Sequence, residues 1–335
     1  MNQQKNNPSV VVIGGGTGTY TLLSSLRDKP VMLTALLTMV DDGGSNKILR
    51  DEFGLLPTSG VRQAIVALSH NRSLLRELFM YRFHQGSGTT GMTFGNLFLA
   101  AMTDMVGTQE KAIEETCKLL SVKGHILPIS YDDVRLVARY SDGREVVGEH
   151  AIDEPEKGST AQIVDVWTTP KATVSEKAKE AILNADCIIL GPGDFYTNTV
   201  PDLIVEGVCD AIISSQAKVL FIVNLMTKFG DSQGYTAKTF IEKLSKYIPV
   251  SRLSAIIINN DTSFSQETID AYTREGAQPI HDDLDEMGLP ESVQIIRAPV
   301  VSKKEAQTVQ ADVLKRSVIR HDQEKLGAVL EKIIL

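Results

Sequence analysis

The sequence predicts an α/β fold in which a mostly parallel sheet carries helices on both faces and a small β-rich insertion. Two observations support this class. Apolar, β-branched runs such as residues 10–13 and 187–190 are continuous, as expected of strands that are buried on both faces. Each run ends in glycines or polar residues, and a segment with helical apolar spacing follows, which is the order of a strand–loop–helix unit.

A glycine-rich loop, GGGTG over residues 14–18, connects the first predicted strand to a helix with Leu22, Leu23 and Leu26 on one face. Unpaired backbone N–H groups and the helix dipole favour an anion at such a junction. The loop lacks the third glycine of G-x-G-x-x-G and the Gly-Lys-Ser/Thr of a P-loop. We predict a phosphate or carboxylate site, with a turn that holds no ligand as the alternative. The predicted binding residues are Gly15, Gly16, Thr17 and Gly18.

The second predicted strand, residues 31–40, ends on a second loop that carries two adjacent carboxylates. The loop consists of Asp41, Asp42, Gly43, Gly44 and Ser45. Paired carboxylates can bind a divalent cation or a ribose hydroxyl, or transfer a proton. Because the carboxyl ends of parallel strands meet at one edge, we expect both loops to be neighbours there, with one aspartate facing the ligand. A helix cap or turn network is the alternative. Arg50 follows within reach of the same edge.

Two later helix starts carry further candidate residues. Thr58 or Ser59 can cap a helix whose first turn contains Arg62, where a cation is unfavourable unless it is held for an anion; a solvated arginine is the alternative. The Gly/Thr/Ser-rich segment 85–95 predicts a loop that covers or lines the site. It leads to Gly95 and Asn96, and we predict that Asn96 caps the helix, with a ligand contact as the alternative.

Alternating apolar residues begin near residue 126 and predict an antiparallel hairpin around the turn at residues 141–144. A short strand over residues 163–168 follows. We therefore expect residues 124–170 to form a hairpin-containing insertion in a single α/β domain that spans residues 1–335.

The third glycine loop follows the strand at residues 187–190 and predicts another anion site, with a structural turn as the alternative. Its residues are Gly191, Pro192, Gly193, Asp194, Tyr196, Thr197 and Asn198. The strand at residues 219–223 ends near Asn224, Met226 and Thr227, of which Asn224 and Thr227 are candidates for binding a base or sugar edge. Residues 255–258 are the last predicted strand. Arg320 and His321 precede the C-terminal helix and could enter the crevice.

Composition limits the function classes. A net charge of −8 and a pI near 5.4 without a dense Lys/Arg run argue against a general nucleic-acid or membrane-surface binder. The three cysteines lack CxxC spacing, and no apolar run approaches the roughly 18 residues needed to span a bilayer. We expect a cytoplasmic protein without a membrane span.

Together these motifs resemble the YvcK/CofD family, which contains the gluconeogenesis factors of bacteria and the 2-phospho-L-lactate transferases. The motifs are GGGTG, DDGGS with Leu49-Arg50, Gly95-Asn96, GPG with Tyr196-Thr197, NLMT at 224–227 and RHD at 320–322. The resemblance implies a Rossmann-like fold and a nucleotide ligand, and it is compatible with a homodimer. In the gluconeogenesis-factor branch, which DDGGS and NLMT favour, the ligand would be a UDP-sugar or an NAD-like dinucleotide, and the role would lie in carbon metabolism and cell shape. In the transferase branch, a phospho-organic group moves from a nucleotide-activated donor, with Mg²⁺ held at Asp41 or Asp42.

The chain departs from the family pattern at several positions. Gly60 stands where an aspartate is usual, Asp194 and Asn198 replace serines, and residues 228–232 differ from the common sequence. An acid beside a phosphate loop would repel an anion unless a metal bridges the two or the acid is protonated. Since a catalyst needs its carboxylates near the phosphate, the missing acid at Gly60 favours binding over catalysis.

Overall fold

The computed structural model describes residues 7–70, 73–155, 161–303 and 318–335. Within these ranges, ten strands form two sheets. The strands are β1 Ser9–Gly14, β2 Met32–Leu37, β3 His125–Pro128, β4 Arg135–Tyr140, β5 Glu145–Val147, β6 Ile163–Thr169, β7 Cys187–Leu190, β8 Lys218–Ile222, β9 Ala255–Asn259 and β10 Gln294–Ala298.

Thirteen α-helices lie in the same described ranges. They are α1 Gly16–Leu26, α2 Gly44–Phe53, α3 Ser59–Leu68, α4 Ser73–Met80, α5 Phe94–Val106, α6 Gln109–Leu119, α7 Glu149–Asp153, α8 Glu176–Leu183, α9 Val200–Leu203, α10 Val208–Ser214, α11 Ala237–Leu244, α12 Gln266–Arg274 and α13 Gln323–Ile334. A π-helical turn, Phe195–Thr199, precedes α9, and short 3₁₀ turns cover Val250–Arg252 and Leu284–Met287.

The large sheet has seven strands in the order β10-β9-β8-β7-β1-β2-β3, and all of its pairings are parallel. Strand β1 lies between β2 and β7. The chain leaves β1 toward β2 on one side and later returns at β7 on the other, so the strand order reverses at the β1–β7 pair. In open α/β sheets this reversal is where ligands bind, beyond the carboxyl ends of the strands.

Both faces of the large sheet are covered, as the continuous apolar strands predict. Val10 and Val12 contribute to a core with helices α1, α3 and α13, whereas Val11 and Ile13 contribute to a core on the opposite face. This second core contains residues of α8 to α11 and of the small antiparallel sheet, which has the order β5-β4-β6. The α/β class with a small β-rich element is therefore confirmed.

Two details of the strands differ from expectation. The predicted series of parallel strands ended at residues 255–258, but β10 adds an edge strand beside β9. Its signal was weak because β10 is only partly buried and places Gln294 and Arg297 around two isoleucines. Within the stretch 124–170, β3 pairs with β2 in the large sheet, and the small sheet begins at Arg135.

Candidate functional site

The helices that begin at the carboxyl edge of the large sheet lack side-chain caps at their N-termini. Gly15, Gly43 and Thr58 precede α1, α2 and α3, and none of them provides a side-chain hydrogen bond to its helix. The shorter helices α7, α9 and α10 also lack such a cap, whereas the helices α5, α6, α8, α11, α12 and α13 are capped by Thr93, Thr108, Ser175, Thr236, Ser265 and Asp322. Within the described residues the first N–H groups of α1 therefore have no side-chain acceptor, and such groups attract an anion.

The first and third glycine loops pack directly against each other. A Cβ atom on Gly18 would lie 2.0 Å from the carbonyl oxygen of Pro192, so only glycine permits this approach. Gly15 and Gly16 face the side-chain amide of Asn198, and Gly193 lies beside the same residue. The structure thus brings the two predicted anion loops into one assembly at the β1–β7 pair, and it gives Gly18 a packing role.

A cavity of about 380 Å³ adjoins the start of α1. Its lining combines helices α1, α3 and α4 and the start of α13 with residues that precede α13. The lining residues are Thr17, Tyr20, Thr21, Gln63, Val66, Arg76, Met80, Ser302, Arg320, His321, Asp322, Gln323 and Glu324. The predicted residues Thr17, Arg320 and His321 therefore share one cavity, although they are more than 300 positions apart in the chain.

His321 contributes a buried imidazole to this cavity. The residue is 9% exposed, and its buried Nε2 atom has no hydrogen-bond partner within the described part of the chain. Burial lowers the pKa of the imidazole to about 4, so the ring is neutral at physiological pH. Arg76 stacks on the Tyr20 ring and donates to its hydroxyl at 2.6 Å, which holds a guanidinium at the cavity wall.

Asp41 and Asp42 are directed to different protein partners. Asp41 accepts from the Gly43 N–H at 2.9 Å with one carboxylate oxygen and from the Ser59 hydroxyl with the other. Asp42 accepts from the His150 N–H at the start of α7, at 2.9 Å. No three His, Cys, Asp or Glu side chains of the described residues form a metal-binding group at these aspartates. The predicted Mg²⁺ site stays a prediction.

Asp194 lies in the third glycine loop and forms an ion pair with a lysine. The Lys228 ammonium donates to Asp194 at 2.8 Å and to Asp153 of α7. Burial disfavours the ammonium, yet the two carboxylates outweigh it and raise the pKa of Lys228. The two departures from the family pattern at positions 194 and 228 are therefore partners of each other. One ammonium shared by two carboxylates leaves a negative charge here, and burial raises the pKa of Asp194.

Three further acids at this edge were absent from the predicted site. Glu149 lies on α7, and burial together with Asp41 and Asp153 raises its pKa to about 10. Asp153 also accepts from the Thr197 hydroxyl at 2.9 Å. Asp231 accepts from the Phe195 and Tyr196 N–H groups, and burial raises its pKa to about 7. Glu149 and Asp153 belong to the insertion and follow no strand of the large sheet, so no strand-end pattern in the sequence marked them.

Several predicted binding residues form a buried polar network instead. The Asn96 amide accepts from Arg62 at 3.0 Å and donates to Ser45 at 2.8 Å. A Cβ atom on Gly95 would lie 2.5 Å from the Arg62 side chain, so this glycine allows the arginine to pack. The prediction that Asn96 caps α5 is wrong, because Thr93 begins the turn three residues earlier and accepts from the Asn96 N–H.

Predicted binding residues after β8 and in the third loop also contact other residues of the chain. The Thr227 hydroxyl accepts from the Gln278 N–H at 2.9 Å, and Met226 packs in the core. The Tyr196 hydroxyl lies 3.1 Å from that of Tyr235. Asn224 is half-buried at the end of the strand. Gly44 begins α2 with open space where its Cβ would be.

Comparison with known proteins places the chain among relatives of similar length. The family model described as 2-phospho-L-lactate transferase CofD matches residues 10–301. The chain is 36% identical to a gluconeogenesis factor of Bacillus subtilis over 331 residues, 98% of each protein. It is 40% identical to a gluconeogenesis factor of Halalkalibacterium halodurans over 274 residues, 81% of this chain and 83% of that protein.

A solved structure is similar throughout its length. A crystal structure of a upf0052-family protein from Bacillus halodurans superposes with a TM-score of 0.85 at 34% identity and covers 97% of this chain and 98% of that one. No helix in the described ranges is long and apolar enough to cross a membrane.

Proposed function

The chain belongs to the CofD family and is related to gluconeogenesis factors over nearly its full length, and from this premise we propose that it binds a nucleotide sugar or a dinucleotide. The proposed role is regulatory, in carbon metabolism and cell shape. The cytoplasmic location and the homodimer expected from the sequence stay predictions.

One observation carries the proposal: the uncapped first turn of α1 contributes Thr17 to a cavity that also contains Arg76, Arg320 and His321, whose Nε2 atom has no partner within the described part of the chain. Backbone N–H groups at a helix start suit a diphosphate, and arginines at the same cavity complement its charge. A neutral imidazole nitrogen without a partner suits a hydroxyl or amide of the ligand. The volume of about 380 Å³ lies within the range of small-molecule sites.

Thermal-shift measurements with UDP-sugars, NAD, GDP and GTP, each with and without Mg²⁺, test the proposal. A ligand that binds the folded chain raises its melting temperature in proportion to the logarithm of ligand concentration. We expect a uridine or nicotinamide nucleotide to stabilise the wild type and to stabilise His321→Ala less. Arg274→Ala, an exposed arginine on α12, is the matched control for a surface change. If no uridine or nicotinamide nucleotide shifts the wild type, the proposal is rejected.

Group transfer is the second candidate function, and the description of the matching family model favours it. Asp41 and Asp42 accept from different protein groups, Gly43 and His150, and the candidate is tested by turnover alone. Mg²⁺-dependent consumption of a guanylated lactyl-phosphate donor would establish transfer. Binding of a nucleotide without turnover would leave the regulatory role.

A further inference from the structure

Arg50 is a buried guanidinium whose nitrogens lack hydrogen-bond partners. Its side chain is 5% exposed, and none of Nε, Nη1 and Nη2 makes a hydrogen bond within the described part of the chain. Its one ion pair within the described residues is with Asp133, whose carboxylate oxygen lies 3.3 Å from Nε but makes no hydrogen bond with it. A guanidinium carries five N–H donors, so this is a large unsatisfied capacity in a protected place.

Such an arrangement is costly for the folded chain unless something else satisfies it. Buried polar groups in proteins are nearly always hydrogen-bonded, and a buried charge without partners is more costly still. Burial and the neighbouring Arg135 lower the pKa of Arg50, while Asp133, Asp42 and Asp41 act in the opposite direction. The carboxylates nearby therefore act on the charge of Arg50 without satisfying its N–H donors, and an oxyanion in hydrogen-bond geometry would satisfy them.

Asp133 shows where that oxyanion would lie. Its carboxylate oxygen is 2.8 Å from Arg135 and 3.3 Å from Arg50, so one oxygen lies between two guanidinium groups. The Asp133 side chain is 61% exposed and sits on the loop between β3 and β4. An exposed aspartate on a loop can leave, whereas Arg50 on α2 is fixed by burial.

We propose that Arg50 and Arg135 form a second anion subsite, which Asp133 occupies in the free protein and which an oxyanion of the ligand, a phosphate or a carboxylate, takes on binding. The subsite lies near the carboxyl ends of β2 and β3, two strands from the glycine loop that follows β1. The proposal rests on the proposed function and specifies its ligand: a nucleotide that carries a further anionic group besides its diphosphate.

Titrations with inorganic phosphate and, separately, acetate test the subsite without any nucleotide. Arg50→Met removes the fork and fills its space, and Asp133→Asn removes the competing carboxylate. We expect Arg50→Met to lose about tenfold or more of the phosphate or acetate affinity measured by thermal shift, and Asp133→Asn to gain affinity. Asp142→Asn is the matched control, because it removes the carboxylate partner of an exposed arginine at 2.7 Å on the neighbouring hairpin.

The melting temperature in anion-free buffer gives an independent readout. If the Arg50 donors are unsatisfied, Arg50→Met melts at the same or a higher temperature than the wild type. A failure of Arg50→Met to fold would contradict the proposal. Arg50→Lys, which keeps the charge but loses the fork, is a second variant, and the proposal requires that it weakens phosphate binding.

The subsite would be overturned if Arg50→Met responded to phosphate and to acetate as the wild type does. It would also be overturned if Asp133→Asn and Asp142→Asn responded to these anions equally. The better anion of the two identifies the chemistry of the ligand group. If a nucleotide raises the melting temperature of the wild type but these anion responses are equal, only the subsite is rejected. If no nucleotide raises the melting temperature, the proposed function is rejected, and the phosphate titration still tests the subsite.

Discussion

The contact between α1 and the third loop makes Gly18→Ala a sharp test of how the two glycine loops assemble. An added Cβ would lie 2.0 Å from the Pro192 carbonyl oxygen and 2.7 Å from its carbonyl carbon. Both atoms are backbone, so either the helix or the loop must move by more than 1 Å, on the order of the shifts that overpacking imposes at about 1–3 kcal/mol. Alanine in a helix gains about 1 kcal/mol over glycine, which opposes the clash.

The net expectation is that Gly18→Ala lowers the free energy of unfolding by up to about 2 kcal/mol, or up to about 3 °C in melting temperature for a chain of this size. Gly60→Ala is the matched control: it lies in the first turn of α3, and its Cβ would meet Leu37 at an ordinary 3.8 Å. That variant should equal or exceed the wild type in stability. Urea denaturation followed by circular dichroism measures both variants. If Gly18→Ala is as stable as Gly60→Ala, the close approach of the two loops is refuted.

Three other predictions concern charged groups at the site. Lys228→Met leaves Asp153 and Asp194 without their shared cation and should lower the free energy of unfolding by about 1–2 kcal/mol. This lies between the values for surface and buried pairs because the lysine side chain is 32% exposed. Urea unfolding measures it against the exposed control Lys171→Met, and equal free energies of unfolding for the two variants would contradict it. The folded pKa of His321, about 4, lies below its ordinary 6.5, so the unfolded chain takes up the proton first and stability falls as the pH drops from about 6.5 toward 4. His321→Gln should remove about 2 kcal/mol of that fall between pH 7 and pH 5, and a parallel pH dependence of the two proteins would refute it. The folded pKa of Glu149, about 10, lies above its ordinary 4.5, so the stability that this acid contributes is lost as the pH rises above 4.5. Between pH 4.5 and pH 7 the free energy of unfolding of Glu149→Gln should therefore rise by up to about 3 kcal/mol relative to the wild type. No such rise in urea unfolding would contradict the burial of this acid.

The parts of the fold that follow from local pattern could be predicted. Continuous apolar strands and the glycines that follow them gave the parallel sheet and the edge at which the loops gather, because strand burial and turn chemistry are properties of short segments. The strand β10 could not be predicted in this way, because its partly exposed edge position weakens the apolar pattern. Residue type alone favours Asn96 as the cap of α5, but the turn begins earlier and Thr93 is the cap.

The parts of the site that depend on distant contacts could not be predicted. Asp194 signalled a repulsion in the sequence, but the compensating Lys228 lies 34 positions further along and reaches it only through the order of β7 and β8. Asp133 is placed beside Arg50 in the same way, through the pairing of β2 with β3. Such pairings depend on sheet order, which no local motif encodes.

A crystal structure of the chain with UDP-N-acetylglucosamine tests the central claim most directly. The account predicts that diphosphate oxygens lie within about 3 Å of backbone N–H groups at the start of α1, with Arg320 and His321 lining the same bound molecule. A nucleotide bound elsewhere, with the N-terminus of α1 still free of phosphate, would contradict it.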